Sequence, residues 1–142
     1  MPGFDPPAFS LYNQNNKLVN LTDFKGQYVY LNFCMCSSYS CIKEFELLKK
    51  MTEKYKEKLT IVTIATDESQ SVMAEYANKE KLPWTFLHFG NQPTILEEYD
   101  IRAYPTYFLI GPDGKLLISP AQSPGENFEQ YLFQVMRSRG DI

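Results

Sequence analysis

Tyr28-Val29-Tyr30-Leu31-Asn32-Phe33-Cys34-Met35-Cys36-Ser37-Ser38-Tyr39-Ser40-Cys41-Ile42-Lys43-Glu44 decides the fold of this chain. Residues 28–33 are nearly all apolar or aromatic, the pattern of a central strand covered on both faces. From Cys41 the period changes. Phe45, Leu48, Met51, Thr52 and Tyr55 recur at three-four spacing, with Lys and Glu on the opposite face, so a helix is expected there.

Downstream, Leu59 to Ala65 (LTIVTIA) reads as a second buried strand, ended by Asp67-Glu68-Ser69. A helix is expected over Ser71 to Leu82, stopping before Pro83. Trp84 to Phe89 is a third strand, Ile95 to Tyr99 a short helix, and Thr106 to Ile110 a fourth strand. Gly111-Pro112-Asp113-Gly114 is turn chemistry, so Leu116 to Ile118 should pair back antiparallel. Glu126 to Arg137 closes the chain as a helix with Phe128, Leu132, Val135 and Met136 inward. Upstream, Phe9 to Leu21 alternates around a polar turn at Asn13 to Lys17 and predicts a hairpin. Leu21 to Gly26 reads as a short turn. Strands alternating with helices imply an α/β sandwich with a mostly parallel sheet. Ligand sites in such sheets lie beyond the C-terminal strand ends. Cys34 to Cys41, Thr66 to Ser69 and the loop entering Pro105 all fall there.

Composition narrows the classes further. The 142 residues predict one domain, 1–142, which can be a piece of a longer protein. Apolar residues make up 44% and aromatics 15%, too much for intrinsic disorder. The formal charge of −3 argues against a nucleic-acid partner. No run approaches the ~20 apolar residues of a membrane span, so membrane insertion is not expected. The first residues lack the basic and apolar parts of a signal peptide. The three cysteines cluster within residues 34–41, which suggests a local site rather than a disulfide scaffold.

Several stretches, in this order and spacing, resemble the thioredoxin-like superfamily. They are Pro7-Ala8-Phe9-Ser10-Leu11, Leu21 to Val29, Asn32-Phe33, Cys41-Ile42-Lys43-Glu44, Tyr104 to Ile110 and Asp113-Gly114-Lys115. Within it, the chain is similar to the TlpA/ResA-like thiol-disulfide oxidoreductases, near the alkyl hydroperoxide reductase/thiol-specific antioxidant group. The resemblance implies a three-layer α/β/α sandwich with a mixed central sheet, an N-terminal hairpin and a central insert around residues 66–89. It implies a cis peptide at Tyr104-Pro105. Residue 104 would then offer backbone groups to an extended peptide. It also implies protein thiols or disulfides as partners, an acidic residue at Glu68 that assists proton transfer, and an extracytoplasmic, membrane-tethered setting. No cofactor is implied.

The motif itself departs from that pattern. Members carry Cys-x-x-Cys at the helix start, whereas this chain reads Ser38-Tyr39-Ser40-Cys41. A serine cannot form a mixed disulfide, so exchange through Ser38 is closed. Either the chemistry is lost or it is rebuilt on Cys41 and a neighbour. Cys36 is the candidate partner thiol, and Cys34, directly after the strand, reads as core. Two alternatives stand beside this one. One is a redox-inactive module that binds peptide in the Pro105 groove. The other is a thiol peroxidase acting through Cys41, favoured by Ser38-x-x-Cys41 but lacking the proline and arginine of that motif. Metal binding by Cys34, Cys36, Cys41 and His88 is not expected, because the Cys34–Cys36 spacing does not fit zinc.

Overall fold

A computed structural model describes residues 3–142. Seven strands form one mixed sheet: β1 (Ser10–Asn13), β2 (Leu18–Asn20), β3 (Tyr28–Cys34), β4 (Leu59–Ala65), β5 (Thr85–His88), β6 (Thr106–Ile110) and β7 (Leu116–Ala121). Their order across the sheet is β2-β1-β5-β4-β3-β6-β7. The helices are α1 (Tyr39–Lys54), α2 (Gln70–Lys79), α3 (Ile95–Glu98) and α4 (Phe128–Ser138).

β3, β4 and β5 run parallel, in register from Tyr28↔Leu59 to Cys34↔Ala65 and from Val62↔Thr85 to Ala65↔His88. Each step moves the same way across the sheet. Right-handed crossovers therefore place α1 and α2 on one face. Residues 66–89 thus add a helix and a parallel strand, which is the expected insert. The N-terminal hairpin pairs Ser10↔Asn20, and β1 extends the sheet by pairing with β5.

Two apolar clusters sandwich the sheet, and strand alternation sorts residues between them. Tyr28, Tyr30 and Cys34 of β3 face α1, α2 and α4, whereas Val29, Leu31 and Phe33 face Ile95, Tyr99 and Phe9. α1 buries Cys41, Phe45, Leu48 and Met51, and α4 buries Phe128, Leu132 and Met136. Val135, expected inward, is half-buried at the rim.

Two helix boundaries differ from expectation, each for a local reason. α2 ends at Lys79 rather than Leu82. Lys81 takes φ 52°, and the Leu82 N–H reaches back to the Ala77 carbonyl at 3.1 Å, a Schellman closure. α4 starts at Phe128 because Asn127 is left-handed, with φ 64°, after a separate 3-10 turn at Pro124–Glu126.

Register sets the site. β6 is antiparallel to β3 and starts opposite its end, at Phe33↔Thr106. The Pro105 loop, the cysteine loop and the loop after Ala65 therefore meet at one sheet edge.

Candidate active site

Cys34 ends β3. Its carbonyl accepts the Thr66 N–H at 2.9 Å, which ties the cysteine loop to the end of β4. The loop turns through Met35 to Ser37, and α1 begins after Ser38. As N-cap, Ser38 takes extended backbone angles, and its carbonyl accepts the N–H groups of Cys41 and Ile42 at 3.1 and 2.9 Å. An N-cap serine ordinarily turns its hydroxyl to the helix amides. Here no such bond forms. The Ser38 hydroxyl instead lies 2.8 Å from Ser40 Oγ, and its single proton can turn either to that oxygen or to the Cys41 sulfur.

Cys41 is the focus of the loop. Its side chain has 0% exposure, yet three donors converge on the sulfur. They are the Cys34 thiol, the Met35 N–H at 3.4 Å and the Ser38 hydroxyl. The Cys34 hydrogen bond is the largest influence, and together the donors hold the Cys41 thiol below its ordinary 9.0 against the opposing effect of burial. The helix start adds its partial positive charge in the same direction.

The other two thiols go the opposite way. Burial pushes Cys34 well up, and donating to Cys41 adds to the shift. Cys36 is also pushed far up, first by burial and then by the neighbouring Asp67 carboxylate. Asp67 is 5% exposed, and its Oδ1 accepts the Cys36 N–H at 3.0 Å. All three cysteines are free thiols.

Several expected site residues sit elsewhere than the sequence suggested. Glu68 is exposed, and Asp67 is the carboxylate against the cysteine loop. The chain bends at Asp67-Glu68 after β4 ends at Ala65, and that bend turns Asp67 to the cysteine loop and Glu68 to solvent. Cys36 shares the core with Cys41, but the thiol that touches Cys41 is Cys34, which sequence reasoning had left as packing. Asp67 was visible as part of the strand-ending acidic turn, though nothing marked it over its neighbour.

The Tyr104–Pro105 peptide is cis. Ser40 Oγ donates to the Tyr104 carbonyl at 3.2 Å, so that acceptor, expected to be open to a peptide, already has one partner. Its second lone pair is what a docking strand would use. A second cis bond, Ser119–Pro120, lies in β7 and was not anticipated.

His88 is committed to the backbone on both nitrogens. Nε2 donates to the Asp67 carbonyl at 2.6 Å, and Nδ1 accepts the Gly90 N–H at 3.1 Å. It holds the acidic turn in place. Among the described residues no cluster of three or more His, Cys, Asp or Glu could hold a metal ion. Among the same residues no helix is long and apolar enough to cross a membrane.

Known proteins are similar to this chain in sequence and fold. The family model for the AhpC/TSA family matches residues 2–118. Thiol-disulfide oxidoreductase ResA of Bacillus anthracis is 30% identical over 135 residues, covering 94% of this chain and 78% of that protein. Peroxiredoxin Bcp of Escherichia coli (strain K12) is 30% identical over 128 residues, 78% of each chain. The crystal structure of the thioredoxin domain of a thiol-disulfide oxidoreductase from Bacteroides vulgatus superposes with a TM-score of 0.83 at 25% identity. That match covers 95% of this chain and 98% of that domain.

Proposed function

The chain belongs to the AhpC/TSA family, in its ResA-like thioredoxin-fold branch, and on that premise we propose that it is a thiol-disulfide oxidoreductase working through Cys41. The observation that carries this is the convergence of three donors on the Cys41 sulfur at the start of α1. A thiolate is the exchanging species, and those donors favour it. Ser38 stands where relatives of this type place the outer cysteine, and here it serves as a donor. Asp67, not the exposed Glu68, is the carboxylate placed to influence the loop.

The partners in this reading are protein thiols and disulfides outside the cytoplasm. An extended substrate would lie along the Tyr104–Pro105 edge. The test is to expose the reduced chain to oxidised glutathione and then locate the thiols lost. Loss at Cys41, absent in Cys41→Ala, is the expected result. A Cys41 that stays free across the whole redox series overturns the proposal.

A second reading, thiol peroxidase, draws on burial. A sulfur at 0% exposure admits hydrogen peroxide more readily than it admits a protein disulfide. Stoichiometric thiol loss with peroxide, and none with glutathione disulfide, would select it.

A further inference from the structure

We infer that the oxidised form of this site is a disulfide between Cys34 and Cys41, joining the end of β3 to the first turn of α1. The inference rests on the thiol-disulfide reading above and names its second thiol.

The geometry comes from two directions. The Cys41 sulfur accepts the Met35 N–H at 3.4 Å, and that nitrogen is bonded to the carbonyl carbon of Cys34. The sulfur therefore lies over the Cys34–Met35 peptide. From below, alternation along β3 turns Cys34 to the same face as Tyr30, beneath α1. There its thiol lies beside the Cys41 sulfur in the same buried cluster, and each perturbs the other's titration. The two sulfurs are neighbours while still reduced, which is the first requirement of a disulfide; the second is a Cα separation of about 4.4–6.8 Å.

Cys36 is placed differently. Its amide is tied to the Asp67 carboxylate at 3.0 Å, and its thiol lies beside that negative charge. The Cys36 loop is thus anchored to Asp67, while Cys34 is held by the strand end through its carbonyl and the Thr66 N–H at 2.9 Å.

The chemistry balances with a disulfide as oxidant. The Cys41 thiolate attacks one sulfur of glutathione disulfide, that S–S bond breaks, and one glutathione leaves as thiolate. The Cys34 sulfur then attacks the Cys41 sulfur of the mixed disulfide. The Cys34 proton goes to a departing glutathione thiolate. The two cysteine sulfurs are oxidised to one disulfide, and glutathione disulfide is reduced to two thiols. Both protein sulfurs have 0% exposure, so the pairing is best read at equilibrium rather than from a rate.

All three cysteines lie between Lys25 and Lys43, on a single tryptic peptide, so variants must locate the bond. Thiols are counted by intact mass after denaturing alkylation, across a glutathione series. In the expected result the wild type and Cys36→Ala each lose two thiols together, at the same midpoint, while Cys34→Ala loses no pair. Cys36→Ala leaves both core sulfurs in place, so the answer does not depend on Cys34→Ala folding. If the wild type loses two thiols and Cys36→Ala does not, the partner is Cys36. The inference then falls while the proposed function stands. If the wild type loses none, both fall.

Discussion

Cys36 lies in the loop and Cys41, five positions on, in the first turn of α1; both are buried, and their surroundings push them in opposite directions. Around Cys41 are hydrogen-bond donors and a helix start. Beside Cys36 is a carboxylate. Burial alone raises any thiol, because it disfavours the charged form. At Cys41 three donors outweigh that penalty; at Cys36 the Asp67 charge adds to it. What each sulfur touches thus decides whether the burial penalty is offset, as at Cys41, or reinforced, as at Cys36.

The contrast can be broken most severely at Cys41 itself. Cys41→Ala should reduce exchange with glutathione disulfide to background while circular dichroism remains native. Exchange that persists would mean that another thiol does the chemistry. Ser38→Cys should act nearly as strongly in the other direction. It restores Cys-x-x-Cys with an outer thiol at the helix N-cap, and exchange should rise on the order of tenfold or more. An unchanged rate would show that the loop, rather than the missing sulfur, limits the site.

Asp67 sharpens the other half of the comparison. Asp67→Ala leaves the buried Cys36 N–H without its acceptor and should cost about 1–3 kcal/mol in urea unfolding. Asp67→Asn keeps an acceptor and should cost less. It also removes the charge that raises Cys36, so Cys36 alkylation should begin at lower pH. Equal alkylation profiles for wild type and Asp67→Asn would remove the carboxylate from the account.

The smallest effect is on stability against pH. Cys41 has a folded value below its ordinary 9.0, so its thiolate contributes stability in full above 9.0, lost as pH falls through the folded value. Cys34 and Cys36 have folded values above 9.0. Their contribution is complete below 9.0 and is lost as pH rises toward those values. Urea midpoints should therefore climb gently toward pH 9 and then decline. Cys41→Ala should flatten the climb, and Cys36→Ala should soften the decline.

Much of the framework was legible in the sequence because periodicity reports burial directly. The nearly continuous apolar run of β3, broken only by Asn32, announced a strand covered on both faces. The three-four spacing from Phe45 to Met51 announced the face α1 buries. The meeting of the cysteine loop, the acidic turn and the Pro105 loop followed from the rule for parallel strand ends. Ser38 in place of a cysteine was plain from counting along the motif. The choice between Asp67 and Glu68 was not legible, because adjacent residues of like charge differ only in how the bend after β4 turns them. The engagement of the Tyr104 carbonyl by Ser40 was equally hidden, since those residues are 64 positions apart.

The sequence by itself determined the layers, the strand and helix order, the missing outer thiol and the placing of three cysteines at one sheet edge. Only the tertiary structure decided which thiol faces which. Cys34 and Cys41 come together because strand alternation points one up and helix phase points the other down, and those two periods meet only after α1 has docked on β3. Linear spacing carries no record of that crossing. It left Cys36 as the candidate partner thiol, and the fold adds that the Cys36 N–H is bound by Asp67.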